Sequence, residues 1–114
     1  MRVNMPLITH SRKGDDLYAL CRSISRLFDE AVAVRRGTKT VKRLAEVAER
    51  EGFAKVVLIE NRSKSKSTIV TVLTKEGGRL RWGTTYIIKR KGKSIHITDM
   101  GGNDAKNEFK NEAE

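Results

Sequence analysis

Cysteine is almost missing from this chain: Cys21 is the only one in 114 residues. A single thiol excludes an internal disulfide and a multi-cysteine zinc site. Cys21 falls on the apolar side of a helical pattern, so it reads as a small buried hydrophobe. Proline is equally scarce, with Pro6 alone. Pro6 donates no backbone hydrogen bond, which the first residue of a strand tolerates. Aromatic residues make up 5%, with one tryptophan and two tyrosines. No apolar run approaches the roughly 20 residues a membrane helix needs. The N-terminus lacks the apolar centre of a leader peptide, so a cytoplasmic protein is expected.

Enzyme signatures are missing too. His10, Ser11 and Asp15 are close in sequence, but sequence neighbours rarely form a triad, and no nucleophile elbow surrounds the serine. The two histidines lie far apart without metal-ligand company, which leaves them surface or capping roles. Lys75-Glu76-Gly77-Gly78 lacks the ending of a phosphate-binding loop. No catalysis, cofactor or metal is expected.

What is abundant is positive charge. There are 24 Lys and Arg against 14 Asp and Glu, a formal net charge of +10. Positions 10–43 hold nine basic residues and four acids, and positions 62–93 hold ten and one, Glu76. Positions 94–114 reverse the balance, with two lysines and five acids. Such segregation points to a polyanion, either nucleic acid or an anionic surface, rather than to a mixed solvated exterior.

The pattern along the chain is α/β. Residues 6–9 form a short apolar strand, and residues 11–14 a turn. Asp15 or Asp16 is placed to cap the helix that follows. Leu17, Leu20, Cys21, Ile24, Leu27 and Phe28 recur at helical spacing, with Arg22 and Arg26 on the polar side. Residues 31–34 read as a second strand. Thr38 or Thr40 caps a second helix with Val41, Leu44, Ala45 and Ala48 on its apolar face, and Gly52 ends it. The β-branched run 54–59 is the central strand. Two strand–helix–strand units imply parallel pairing with right-handed crossovers. After a basic loop at 62–66, strands at 68–74, 80–82, 85–90 and 94–98 extend the sheet in antiparallel fashion, with a hairpin turn at 75–78. The expected fold is a mixed sheet packed with two helices. Residues 1–99 form one domain, and 100–114 a frayed tail or a short exposed acidic helix.

Leu7-Ile8-Thr9-His10-Ser11-Arg12-Lys13 and a helix come first. Val34-Arg35-Arg36-Gly37-Thr38-Lys39 then opens a second helix, and Lys55-Val56-Val57-Leu58-Ile59-Glu60-Asn61 follows. This succession resembles the Brix domain family of the archaeal ribosome-biogenesis type, over roughly residues 7–91. The resemblance implies half of a two-lobed fold, each lobe being similar to the anticodon-binding domain of class IIa aminoacyl-tRNA synthetases. It also implies a role in ribosome biogenesis and rRNA processing. The implied partners are ribosomal RNA or its precursor, together with ribosomal or biogenesis proteins. A homodimer would restore the two-lobed arrangement. Gly14-Asp15-Asp16 departs from the family's continuation, so RNA contacts transfer only to Arg12 and Lys13.

Both basic turns follow parallel strands, where ligands of open α/β sheets bind. Ser11, Arg12, Lys13, Arg35, Arg36 and Lys39 are therefore expected on one rim, extended by Lys42 and Arg43, with phosphates as ligands. A second patch is expected over residues 79–93. There Trp82 stands among Arg79, Arg81, Lys89, Arg90 and Lys91, with base stacking and packing equally open to it. Tyr86 alternates in phase with Ile88, toward the core. Two rival readings remain. One is an Alba-like architectural protein that coats nucleic acid as a dimer through the 79–93 hairpin. The other is a domain that docks on a ribonucleoprotein through an apolar edge or its acidic tail.

Overall fold

The computed structural model describes residues 5–13, 15–62 and 67–114. Its first strand, β1 (Leu7–His10), is buried along its whole length. A 3-10 turn at Asp15–Leu17 leads into α1 (Tyr18–Ser25). β2 is only Val32–Ala33, and α2 spans Val41–Glu51. β3 (Lys55–Arg62), β4 (Ser67–Glu76), β5 (Arg79–Lys91) and β6 (Ser94–Thr98) follow, and α3 (Lys106–Ala113) ends the chain.

The six strands form one sheet in the order β2-β1-β3-β4-β5-β6. β1 is parallel to both β2 and β3, and the remaining pairs are antiparallel. The chain steps from β1 to β2 in one direction, then returns past β1 to reach β3. A crossover of constant hand must then place its two helices on opposite faces. The packing agrees. α1, together with the C-terminal helix, covers the face of Ile8, Val57, Ile59, Val70 and Val72. α2 lies against Leu7, Val56, Leu58 and Leu73 on the other side. The alternation of Val56, Val57, Leu58 and Ile59 between two cores explains why β3 is continuously apolar.

Local signals account for most boundaries. Thr40 caps α2, its Oγ1 accepting from the Arg43 N–H at 3.1 Å. Gly52 ends α2 in the left-handed region (φ 80°), where a side chain is strained. Around Gly83 the β4–β5 register shifts. A Cβ there would stand 2.6 Å from the Val72 carbonyl oxygen, so only glycine allows the two strands this approach.

The expected α/β fold with its antiparallel extension is observed, with four differences. First, α1 carries no side-chain cap, because the 3-10 turn places Leu17 at its N-cap position. Second, residues 79–91 form one strand rather than two, the irregularity at Gly83 being absorbed within it. Third, there are three α-helices, not two. α3 is packed rather than frayed or exposed: Phe109 is fully buried and meets Phe28 and Tyr86 edge to face at 5.7 and 5.6 Å. Fourth, His10 is fully buried, not at the surface. The expected basic loop at 62–66 lies mostly outside the described residues, as do Gly14 and the side chain of Asp15.

Candidate nucleic-acid interface

β2 makes only two paired positions with β1, Leu7↔Val32 and Ile8↔Ala33. Side chains extend the seam beyond them. Thr9 Oγ1 donates to the Val34 carbonyl at 2.9 Å. The Arg36 N–H donates to His10 Nε2 at 3.2 Å, and Arg36 Nη1 donates to the His10 carbonyl at 3.0 Å. Since Nε2 accepts, Nδ1 holds the imidazole proton and donates it to the Ser11 carbonyl at 2.8 Å. Arg36 Nε reaches the Lys39 carbonyl at 2.6 Å, and Lys39 Nζ returns to the Arg36 carbonyl at 3.4 Å. The two basic turns are thus tied into one corner. The Ser11 N–H joins it to β3 through the Ile59 carbonyl at 2.9 Å.

Arg36 is consumed by this corner. It is 4% exposed, and its donors point at backbone oxygens. Burial weakens its hold on the proton, and so does the charge of Arg12, while Glu60 opposes them. Arg12, Lys13 and Arg35 remain exposed around the corner. The Arg35 guanidinium lies 4.2 Å from the centre of the Tyr18 ring, a cation–π contact that anchors it without burying it. This is the rim expected beyond the carboxyl ends of the first two strands, where β1 and β2 run parallel. Sequence reasoning missed His10, which organises the corner, and Glu60, the acid beside it.

Two further residues assigned to the rim have other neighbours. Lys42 lines a groove with Gly78, Arg79 and Leu80, beside the β4–β5 turn. Arg43 is paired with Glu46 at 2.8 Å.

The expected 79–93 patch divides in two, because one extended strand carries it. β5 pairs Trp82 with Leu73 and Arg79 with Glu76 at one end of the sheet, and Ile88 with Thr68 at the other. Ten residues of strand separate Arg79 from Lys89 by about 33 Å. Arg79, Arg81 and Trp82 therefore share the end occupied by the β4–β5 turn. Trp82 is exposed, and Arg81 is paired with Glu76 at 2.8 Å. Lys89, Arg90 and Lys91 run off the opposite end, where β1 also ends. Three strand spacings, about 14 Å, separate the line of β1 from that of β5. Exposed Lys89, Arg90 and Lys91 thus stand at the same end of the sheet as Arg12 and Arg35. Tyr86 is buried as expected, its hydroxyl donating to Glu112 at 2.8 Å.

Among the described residues, no group of three or more His, Cys, Asp and Glu is placed to hold a metal ion, and no helix is long and apolar enough to cross a membrane. No protein-family model matches the chain, and no curated protein matches it significantly. Solved structures do. A probable ribosomal biogenesis protein from Aeropyrum pernix K1 aligns with a TM-score of 0.66 at 24% identity, over 75% of this chain and 48% of that one. Mil, an archaeal Imp4-like protein, aligns with a TM-score of 0.54 at 17% identity, over 74% of this chain and 49% of that one. The chain therefore spans about half the length of each, and what it shares with them is the fold.

Proposed function

We propose that this chain is a non-catalytic RNA-binding domain of ribosome biogenesis, working on ribosomal RNA or its precursor alongside ribosomal or biogenesis proteins. The observation that carries the reading is the single cationic rim. Two turns distant in sequence are locked together by His10 and Arg36, with Arg12, Lys13 and Arg35 left exposed around them. Its ligand is the RNA backbone, because cations of this kind position phosphates and do not read base edges. The fold shared with two archaeal proteins, one a probable ribosomal biogenesis protein and one Imp4-like, supports the cellular role.

The test is a triple variant, Arg12→Ala, Lys13→Ala and Arg35→Ala, titrated with a structured ribosomal RNA fragment. Affinity falls at least tenfold while the melting temperature stays within a few degrees. Binding unchanged by the three substitutions overturns the rim as the interface. The Alba-like reading gains nothing from the geometry, since the hairpin on which it depends places its charges at opposite ends of the sheet.

A further inference from the structure

β6 is the last strand of the sheet, and its outer side is paired only in part. Beyond it the chain folds back. The Ala105 N–H donates to the Ile97 carbonyl and the Asp99 N–H to the Asn103 carbonyl, both within 2.9 Å. The Asp99 carboxylate fixes the returning loop by accepting from the N–H groups of Gly101 and Asn103, each at 2.9 Å. These bonds cover the end of β6 at Ile97 and Thr98. Since the Ile97 carbonyl faces outward, the strand's two-residue alternation turns the N–H and carbonyl of Ile95 outward as well. No element of the described structure pairs with that side of Ile95.

Beside this edge is a groove of about 730 Å3 between α1, β6 and the start of α3. Three cations line it: Arg26 just past α1, Lys93 in the turn before β6, and Lys106 at the start of α3. None of the three is in an ion pair among the described residues. Asp104 is the one acid in the lining. Thr98 also lines the groove, and its Oγ1 is buried with no hydrogen-bond partner among the described residues.

We propose that the outer edge of β6 takes an extended acidic segment of a partner protein as an added strand, with that segment's carboxylates held by Arg26, Lys93 and Lys106. An edge strand offers a donor and an acceptor together at an outward residue, and on β6 Ile95 is the one left uncovered. Another peptide strand matches both, and its alternate side chains then fall into the groove. A sugar–phosphate backbone supplies acceptors for the cations but does not reproduce the strand's paired donor and acceptor at Ile95. The groove is therefore a protein-docking surface at the opposite edge of the sheet from β2, separate from the corner around His10 and Arg36.

The probe is a fluorescein-labelled eight-residue peptide of alternating Glu and Thr, titrated against the whole chain by fluorescence anisotropy, with amide exchange measured in parallel. The peptide binds, and exchange at Ile95 slows. Lys93→Glu combined with Lys106→Glu weakens binding at least tenfold without moving the urea midpoint. Ile95→Pro removes the outward N–H and abolishes binding. Arg12→Ala with Arg35→Ala leaves peptide affinity unchanged, so failure here is distinguishable from failure of the RNA reading. Several results overturn the proposal. One is absence of binding, which leaves the lysines as guards against edge aggregation. Others are binding without protection at Ile95, or protection by a single-stranded RNA oligonucleotide but not by the peptide. Protection that rises with protein concentration alone assigns the edge to a second copy and overturns it too.

Discussion

Arg36 is a cation whose charge serves the fold. Its guanidinium fork spans the His10 and Lys39 carbonyls from a buried position, a geometry that an ammonium cannot reproduce. Arg36→Ala leaves those oxygens unpaired and costs about 1–3 kcal/mol in urea unfolding, and Arg36→Lys does not restore it. Exposed Arg12→Ala shifts stability by less than about 0.5 kcal/mol in the same measurement. In sequence the two are indistinguishable. Both follow a short apolar run, and nothing local separates a rim arginine from a tie. The partner, His10, lies 26 positions away and meets Arg36 only once β1 and β2 pair. Two further buried groups set a pH response. Burial pushes the Cys21 thiol up to about 12. Burial, then the hydrogen bond to Glu112 and that residue's charge, push the Tyr86 hydroxyl up to about 12. Both groups stay neutral in the fold beyond the pH at which they ionise in the unfolded chain. Their contribution is therefore complete below the ordinary values of 9.0 and 10.0, and it is lost as pH rises toward 12. Urea midpoints measured from pH 8 to 11 fall more steeply for the natural chain than for Cys21→Ala combined with Tyr86→Phe.

The elements differ in how openly the sequence announces them. α2 was plain, because Thr40 caps it, Gly52 ends it, and Leu44, Ala45 and Ala48 share one buried face. β3 was plain because a strand buried on both faces has no polar residue to interrupt its centre. α3 was obscure for the opposite reason. Its segment is mostly charged or amidated, and its buried contribution is a thin line of Ala105, Phe109 and Ala113 spaced four apart. Four-residue spacing is a helical signal, but three residues inside an acidic stretch look like a solvated tail. The packing shows how much rests on that line. Phe109 fills the space between the rings of Phe28 and Tyr86, and Glu112 accepts from the Tyr86 hydroxyl at 2.8 Å and from the Thr84 N–H at 3.1 Å. Phe109→Ala therefore costs about 3–5 kcal/mol, a large share of the about 5–15 kcal/mol that holds a domain together. Urea denaturation of the variant checks this, and a loss below about 1 kcal/mol means that α3 is dispensable.

At the scale of the whole molecule, charge segregated along the sequence becomes segregation in space only after the sheet redistributes it. The basic stretch from 62 to 93 looked like one patch, yet β5 carries its two halves to opposite ends. The end that receives Lys89, Arg90 and Lys91 is also the end where Arg12 and Arg35 emerge. The other end holds Arg79, Arg81 and Lys42, with Glu76 already paired to Arg81. An RNA strand lying across the first end releases counterions from each phosphate it matches, and each match adds about 0.7–0.9 to the slope of log K against log salt. Three variants measured over a salt series separate the two ends. Removing Arg12, Lys13 and Arg35 together lowers the slope by about 2–3. Removing Lys89, Arg90 and Lys91 lowers it by a similar amount, because the same backbone passes both clusters. Arg79→Ala with Arg81→Ala leaves the slope where it was. If that last pair alone flattens the slope, the RNA lies at the β4–β5 turn and beside Trp82, and the corner built by His10 and Arg36 is a structural joint.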